Sequence, residues 1–189
     1  NMTKTLGEIG QHLDKINCIL DLRSDKALFG MGFNKIFMNF SEKKVLVVGG
    51  GVIATRRIGT LLKFVGHIEV VAPEITEVLR NLVEKKCITW RKELYCESFI
   101  QKKDIVIAAT NHHDVNLQIY EDCREEEKKT GTPILVNLID DKTLCDFYFP
   151  SIVMQDDIVI GINSSGTDPK ITKTVRKQIE EKINADTIY

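Results

Sequence analysis

The sequence predicts an α/β fold. A Rossmann-type parallel sheet with helices on both faces is followed by a small α+β segment and preceded by a helical extension. Three observations carry this. Apolar, mostly β-branched runs at residues 45–48 and 105–109 have the pattern of strands buried on both faces. Helical periodicity falls between the strand-like runs, at the spacing of βαβ units. The first run leads directly into Gly49-x-Gly51-x-x-Ala54, a glycine loop between a strand and a helix.

The bulk properties agree with one globular domain and an appendage. The chain has 189 residues, 43% of them hydrophobic, enough to bury a core. Lys and Arg number 26 against 27 Asp and Glu, a net charge of −1. No global field therefore draws in nucleic acid or an acidic membrane. No apolar run approaches the ~18 residues that span a bilayer, and no secretory leader pattern is visible. The five cysteines are odd in number and form no CxxC pair. That pattern predicts reduced thiols in a cytoplasmic protein, with neither a disulfide framework nor a metal site.

The elements follow in order. Leu6, Ile9, Leu13, Ile16 and Leu20 write one apolar helix face, and Gly30-Met31-Gly32 breaks it, so residues 1–33 form a helical extension. Val45-Leu46-Val47-Val48 is the first strand. The next helix has Ile53, Ala54, Ile58, Leu61, Leu62 and Val65 on its inner face, with Gly66 as its cap. Residues 68–71 form the second strand. Pro73 then opens a helix whose stripe is Val78, Leu79, Leu82 and Val83. Residues 87–90 and 105–109 are the third and fourth strands. Residues 114–129 form a helix stopped by Gly131 and Pro133, and residues 134–138 are the fifth strand. The dinucleotide domain thus covers residues 34–146. Within 147–189 the rhythm changes: strands at 147–153 and 158–162, a Ser164–Asp168 loop, and a final helix beginning at Pro169.

The glycine loop has a specific physical purpose. Gly49 permits the tight turn, Gly51 lets the backbone approach a pyrophosphate, and Ala54 lets helix and strand pack closely. Helix N-terminal amides then meet the phosphate charge. Gly49, Gly50, Gly51, Val52, Ile53 and Ala54 are accordingly the predicted cofactor loop. The second strand ends Val71-Ala72-Pro73 rather than in the acidic residue that usually bonds the ribose. The fingerprint therefore leaves NAD and NADP open, with Pro73 in the ribose position. Arg56 and Arg57 either meet phosphate or sit solvated on the helix surface.

Longer segments carry a resemblance. Val71-Ala72-Pro73-Glu74, Ala108-Ala109-Thr110, Asn137-Leu138-Ile139-Asp140, Cys145-Asp146-Phe147-Tyr148-Phe149-Pro150 and Ser164-Ser165-Gly166-Thr167-Asp168-Pro169 follow the glycine loop in characteristic order. With it they resemble precorrin-2 dehydrogenase, the N-terminal module of siroheme synthase. The resemblance covers residues 36–183. It implies a cytoplasmic homodimer that oxidises precorrin-2 to sirohydrochlorin with NAD⁺; some members of the family also insert Fe²⁺. It also implies a key catalytic aspartate at Asp140 and a serine near the tetrapyrrole at Ser164. This chain departs from the family in carrying Asn111-His112-His113 where members commonly have aspartates.

Ligands of open α/β sheets sit beyond the carboxyl ends of the strands. Thr110 and Asn111 leave the fourth strand there. Asn137 and Asp140 leave the fifth. Thr110, Asn111 and Asn137 are thus candidate cofactor contacts, although Asn is also a common turn residue. Asp140 is a candidate general base, unless it or Asp141 simply caps a turn. Adjacent histidines point apart and form no two-ligand site by themselves, so His112 and His113 read chiefly as helix-start or surface residues, with a base or an iron ligand as the alternative. Ser164, Ser165, Gly166, Thr167 and Lys170 are the candidate contacts to a macrocycle rich in carboxylates. Lys170, Lys173, Arg176 and Lys177 are either part of that contact or a solvated basic face. The apolar residues of 147–162 exceed what one small strand pair needs, and a dimer interface would bury them.

The reading is an NAD-dependent precorrin-2 dehydrogenase. Its alternatives are a bifunctional dehydrogenase–ferrochelatase and a non-catalytic NAD-binding module associated with tetrapyrrole enzymes.

Overall fold

The computed structural model describes residues 38–164 and 169–186. The chain divides into two units, and the first ends at Ser151. The first unit contains β1 (Lys44–Val48), α1 (Val52–Leu61), β2 (His67–Val71), α2 (Glu77–Glu84), β3 (Thr89–Arg91), a 3-10 helix (Glu97–Ile100), β4 (Ile105–Ala108), α3 (His113–Thr130) and β5 (Leu135–Leu138).

The five strands are parallel, in the order β3-β2-β1-β4-β5. Val47 pairs with Val70 on one side and Ile107 on the other, and Ile107 pairs with Asn137. The connection order reverses between β1 and β4. A crevice must therefore open beyond their carboxyl ends, where the helices following them go to opposite faces.

Strand alternation divides the core in two. Val45, Val47, Val70, Ile105 and Ile107 face Ala54, Ile58 and Leu61 of α1 and Leu79 of α2. Leu46, Val48, Val106, Ala108 and Val136 face Ile119 and Cys123 of α3, with Ile100 of the 3-10 helix. This is why β1 and β4 carry no polar residue between Val45 and Val48 or between Ile105 and Ala108.

Several boundaries differ from the sequence prediction. Helix α2 begins at Glu77 and not at Pro73. The Thr76 N–H donates to the Gly50 carbonyl at 3.0 Å, and Thr76 Oγ1 caps the helix by accepting from Leu79 N at 3.4 Å. Residues 73–75 are thereby tied to the glycine loop. Val78 is 57% exposed and so lies off the inner face. Ile53 also points outward, and α1 closes at Leu62 rather than Gly66. Helix α3 ends at Gly131 as predicted, in the left-handed conformation at φ 69°. The strand expected from 147 starts only at Ser151. Phe147 and Phe149, with ring centroids 5.3 Å apart, instead pack against the α1 face of the core.

In the second unit, β6 (Ser151–Gln155) and β7 (Ile158–Ile162) form an antiparallel hairpin. Its turn holds Asp156 at φ 48°, a conformation Asp tolerates better than most residues. The helix α4 (Pro169–Asp186) follows. The predicted N-terminal helix lies outside the described residues. Among the described residues no helix is long and apolar enough to cross a membrane.

Two carboxylates at the sheet give the fold a predictable acid response. Asp104 accepts from Lys43 Nζ at 2.8 Å and from the Lys44 amide at 2.9 Å, and these bonds hold its pKa below the usual carboxylate range. Burial would raise Glu69, but Lys103 and Arg91 outweigh it and its pKa is also lowered. A carboxylate lowered by folding stabilises fully above its unfolded pKa of about 4, and that stability is lost as pH falls through the native value. The urea midpoint should stay level from about pH 7 to 5.5 and fall below about pH 4. Asp104→Asn should remove part of that fall; an identical acid profile in the variant would refute the assignment.

Candidate active site

The site is built on three strand ends. After β1, Gly49 adopts φ +119°, which L side chains rarely adopt, and a Cβ there would lie 2.2 Å from the Ala109 carbonyl oxygen. A Cβ on Gly50 would lie 2.1 Å from the Glu74 carbonyl oxygen. These two glycines are required by the protein's own close packing. Gly51 is different. A Cβ there meets nothing within 4 Å, and the residue N-caps α1 without any side-chain hydrogen bond. No acidic residue stands in the first turn of α1. The first-turn amides and the space at Gly51 therefore suit an anionic diphosphate, which needs N–H donors and close backbone approach. Val52 and Ile53, 79% and 40% exposed, border that space, while Ala54 is fully buried in the helix–sheet contact.

Gly49→Ala should accordingly cost about 2–5 kcal/mol, combining left-handed strain with backbone overpacking. Urea denaturation of the variant measures this; wild-type stability would contradict the close approach.

Beyond β4, Asn116 organises the second side. Its side chain is fully buried. Its Oδ1 accepts from the Thr110 amide at 3.1 Å and lies 2.7 Å from Thr110 Oγ1. Its Nδ2 donates to the Thr110 carbonyl at 3.2 Å and to Asp140 Oδ2 at 3.0 Å. Asp140 Oδ2 also lies 3.0 Å from His113 Nδ1. One buried amide thus joins the end of β4 to the end of β5. The clash position of Gly49, against Ala109 and 3.1 Å from the Thr110 nitrogen, joins β1 to the same place.

The two aspartates after β5 divide their tasks. Asp141 Oδ1 accepts from the Thr143 amide at 2.8 Å and from its hydroxyl at 2.6 Å, an Asx turn. Asp140 is left facing the site, its side chain 31% exposed. Burial would raise its pKa, but the hydrogen bonds from Asn116 and His113 outweigh this and hold it below the usual carboxylate range.

The other predicted residues have these places. Thr110 spends its hydroxyl locally, accepting from the His112 amide at 3.2 Å. Asn111 and Pro73 are exposed beside the loop. Asn137 is buried; its Nδ2 donates to the Phe147 carbonyl at 2.8 Å, while its Oδ1 has no protein partner. Its amide donor is therefore spent on the chain itself. Ser164 Oγ accepts from Thr172 Oγ1 at 2.9 Å at the start of α4. Ser165, Gly166 and Thr167 lie outside the described residues. Lys170 is exposed on α4, and Arg176 on the same helix pairs with Glu180. Arg57 is not solvated as the surface reading has it. Its guanidinium lies 4.4 Å over the Phe149 ring, and burial lowers its pKa. Asn116 has no counterpart in the sequence reading, and His113, read there chiefly as a surface residue, lies against Asp140; the only local signal for either is that an aspartate at the sheet edge needs partners. A cavity of about 330 Å³ lies at the opposite, amino ends of the strands, beside Lys44, His67 and Lys103; that is the wrong edge for a dinucleotide.

Residues 36–151 match the family described as "Putative NAD(P)-binding". The chain belongs to this NAD(P)-binding family. The chain is 37% identical over 150 residues to the siroheme synthase of Baumannia cicadellinicola subsp. Homalodisca coagulata, covering 79% of this chain and 31% of that protein. It is likewise 37% identical over 154 residues to the siroheme synthase of Nitrosomonas europaea, covering 81% and 31%. The chain thus spans about a third of the length of the curated relatives it matches. Among solved structures, "SirC, precorrin-2 dehydrogenase" shares the NAD(P)-binding fold with a TM-score of 0.65 at 24% identity, over 79% of this chain and 71% of that one.

Proposed function

We propose that the chain is an NAD-dependent dehydrogenase that oxidises precorrin-2 to sirohydrochlorin in siroheme biosynthesis. The observation that carries the reading is Asp140, an ionised carboxylate fixed by Asn116 at the sheet edge that the glycine loop also reaches. Similarity to siroheme synthases supplies the substrate class.

Gly49, Gly50, Gly51 and the first turn of α1 would hold the diphosphate, with Thr110 and Asn111 alongside. Oxidised nicotinamide, when bound, accepts a hydride. Asp140 and its partners manage the proton that leaves with it. Glu74, exposed after β2, and the lack of any cation between Ala72 and Thr76 favour NAD over NADP, whose 2′-phosphate a carboxylate repels. Ser164 to Thr167 and Lys170 would contact the macrocycle's carboxylates.

The apolar surface of the hairpin unit supports a homodimer. Met154, Ile158 and Ile171 are 44%, 60% and 60% exposed, and a two-fold interface would cover them. Among the described residues, Cys87, Cys96, Cys123 and Cys145 are free thiols, which suits a cytoplasmic setting.

A spectrophotometric assay of precorrin-2 with NAD⁺, with NADP⁺, and with Fe²⁺ added tests the whole reading. NAD⁺-dependent formation of sirohydrochlorin is expected. Absence of turnover with both nucleotides would defeat the reading. Sedimentation that finds only monomer at micromolar concentration would remove the dimer.

A further inference from the structure

We propose that Nε2 of His113 is the atom that takes the substrate's proton, and that Asp140 serves to hold the imidazole in the form that can. The inference rests on the dehydrogenase reading and assigns its proton acceptor.

The argument starts at Asn116. The Thr110 amide can only donate and the Thr110 carbonyl can only accept, and they face opposite ends of the Asn116 amide at 3.1 and 3.2 Å. The amide therefore cannot be flipped. Its NH₂ must point at Asp140 Oδ2, 3.0 Å away. Asp140, held ionised, has only acceptor capacity. The 3.0 Å contact with His113 Nδ1 then requires the ring to be the donor. Neutral His113 thus carries its hydrogen on Nδ1 and its lone pair on Nε2.

The side chain of His113 is 63% exposed against 31% for Asp140, so the imidazole is the more accessible of the two groups. Other charged or titratable neighbours are Asp141, whose pKa is lowered in part by His113, and His112 and Asp114 on the same chain segment. In the oxidation the substrate loses a hydride to the nicotinamide and a proton to Nε2. The electron pair left by that proton becomes the new double bond. The imidazolium faces the Asp140 carboxylate and returns its proton to water. His113 is then a catalytic residue, while Asp140 and Asn116 are positioning residues.

Two measurements on the full chain test this. Long-range ¹H–¹⁵N spectra near pH 8, assigned with His113→Asn, should show His113 as the Nδ1–H tautomer. In Asp140→Ala, which removes the acceptor, that bias should be lost. His113→Asn keeps an N–H for Asp140 but removes Nε2; it should lose at least about a hundredfold in kcat with NAD⁺ affinity and thermal unfolding little changed. An Nε2–H tautomer in the wild type, or near-normal kcat in a folded His113→Asn, would overturn the inference while leaving the dehydrogenase reading intact. A wild-type chain inert towards precorrin-2 would overturn both.

Discussion

Asp140→Asn should lose precorrin-2 turnover by at least about a hundredfold, the lower range for a positioned acid–base group. The shape of the side chain is kept, but one oxygen becomes an N–H donor. Asn116 Nδ2 and His113 Nδ1 both meet the same oxygen, Oδ2, at 3.0 Å, so the new amide keeps its carbonyl there and its NH₂ takes the place of Oδ1. The imidazole still faces an acceptor, but the negative charge that favours its Nδ1–H form and stabilises the imidazolium is lost. NAD⁺ affinity, read by calorimetry, should change little because the glycine loop is untouched. Wild-type kcat in the variant would remove Asp140 from the chemistry.

Gly51→Val should abolish NAD⁺ binding by calorimetry and leave the circular dichroism spectrum unchanged. Both halves follow from the same observation. Nothing within 4 Å opposes a side chain at Gly51, so the fold does not object. The space it would fill is the approach to the uncapped first turn of α1, so a diphosphate does. Gly49→Ala gives the opposite signature, a damaged fold, because its neighbour is the protein's own backbone at 2.2 Å. Unchanged affinity in a folded Gly51→Val variant would place the diphosphate elsewhere.

The sheet was legible because burial on both faces forces composition. Val45 to Val48 and Ile105 to Ala108 have no solvent side on which to place a polar residue. The glycine loop was legible because Gly49 tolerates no substitute. The start of α2 was not. Pro73 is a plausible first-turn residue, and only the long-range bond from Thr76 to Gly50 shows that residues 73–75 belong to the loop. Local sequence alone leaves open which of Asp140 and Asp141 caps a turn; the Thr143 hydroxyl and amide bond to Asp141, which leaves Asp140 facing the site. His113 was set aside because neighbouring histidines diverge; its partner lies 27 residues away, beyond any local pattern. Arg57 looked like a surface charge because Phe149, which it covers, arrives from the far end of the domain.

The segment after β5 has a bearing on how this protein avoids sticking to others. Strand β5 lies at the border of the sheet, where outward amides and carbonyls would template a foreign strand. Each outward position is already claimed. The Ile134 amide donates to Glu127 Oε1 at 2.6 Å, and the Val136 amide to Asp146 Oδ2 at 2.8 Å. The Val136 carbonyl accepts from the Asp146 amide at 2.9 Å. The Leu138 amide and carbonyl both meet Cys145 Sγ at 3.2 Å. Arg124 braces this seal by bonding Asp146 and Glu127. The Cys-Asp pair is in this sense a selvedge: it finishes the cloth so that it cannot be extended. Fibrillar or strand-exchanged aggregation through this border is closed off while the seal holds, and oxidation or alkylation of Cys145 would unpick it.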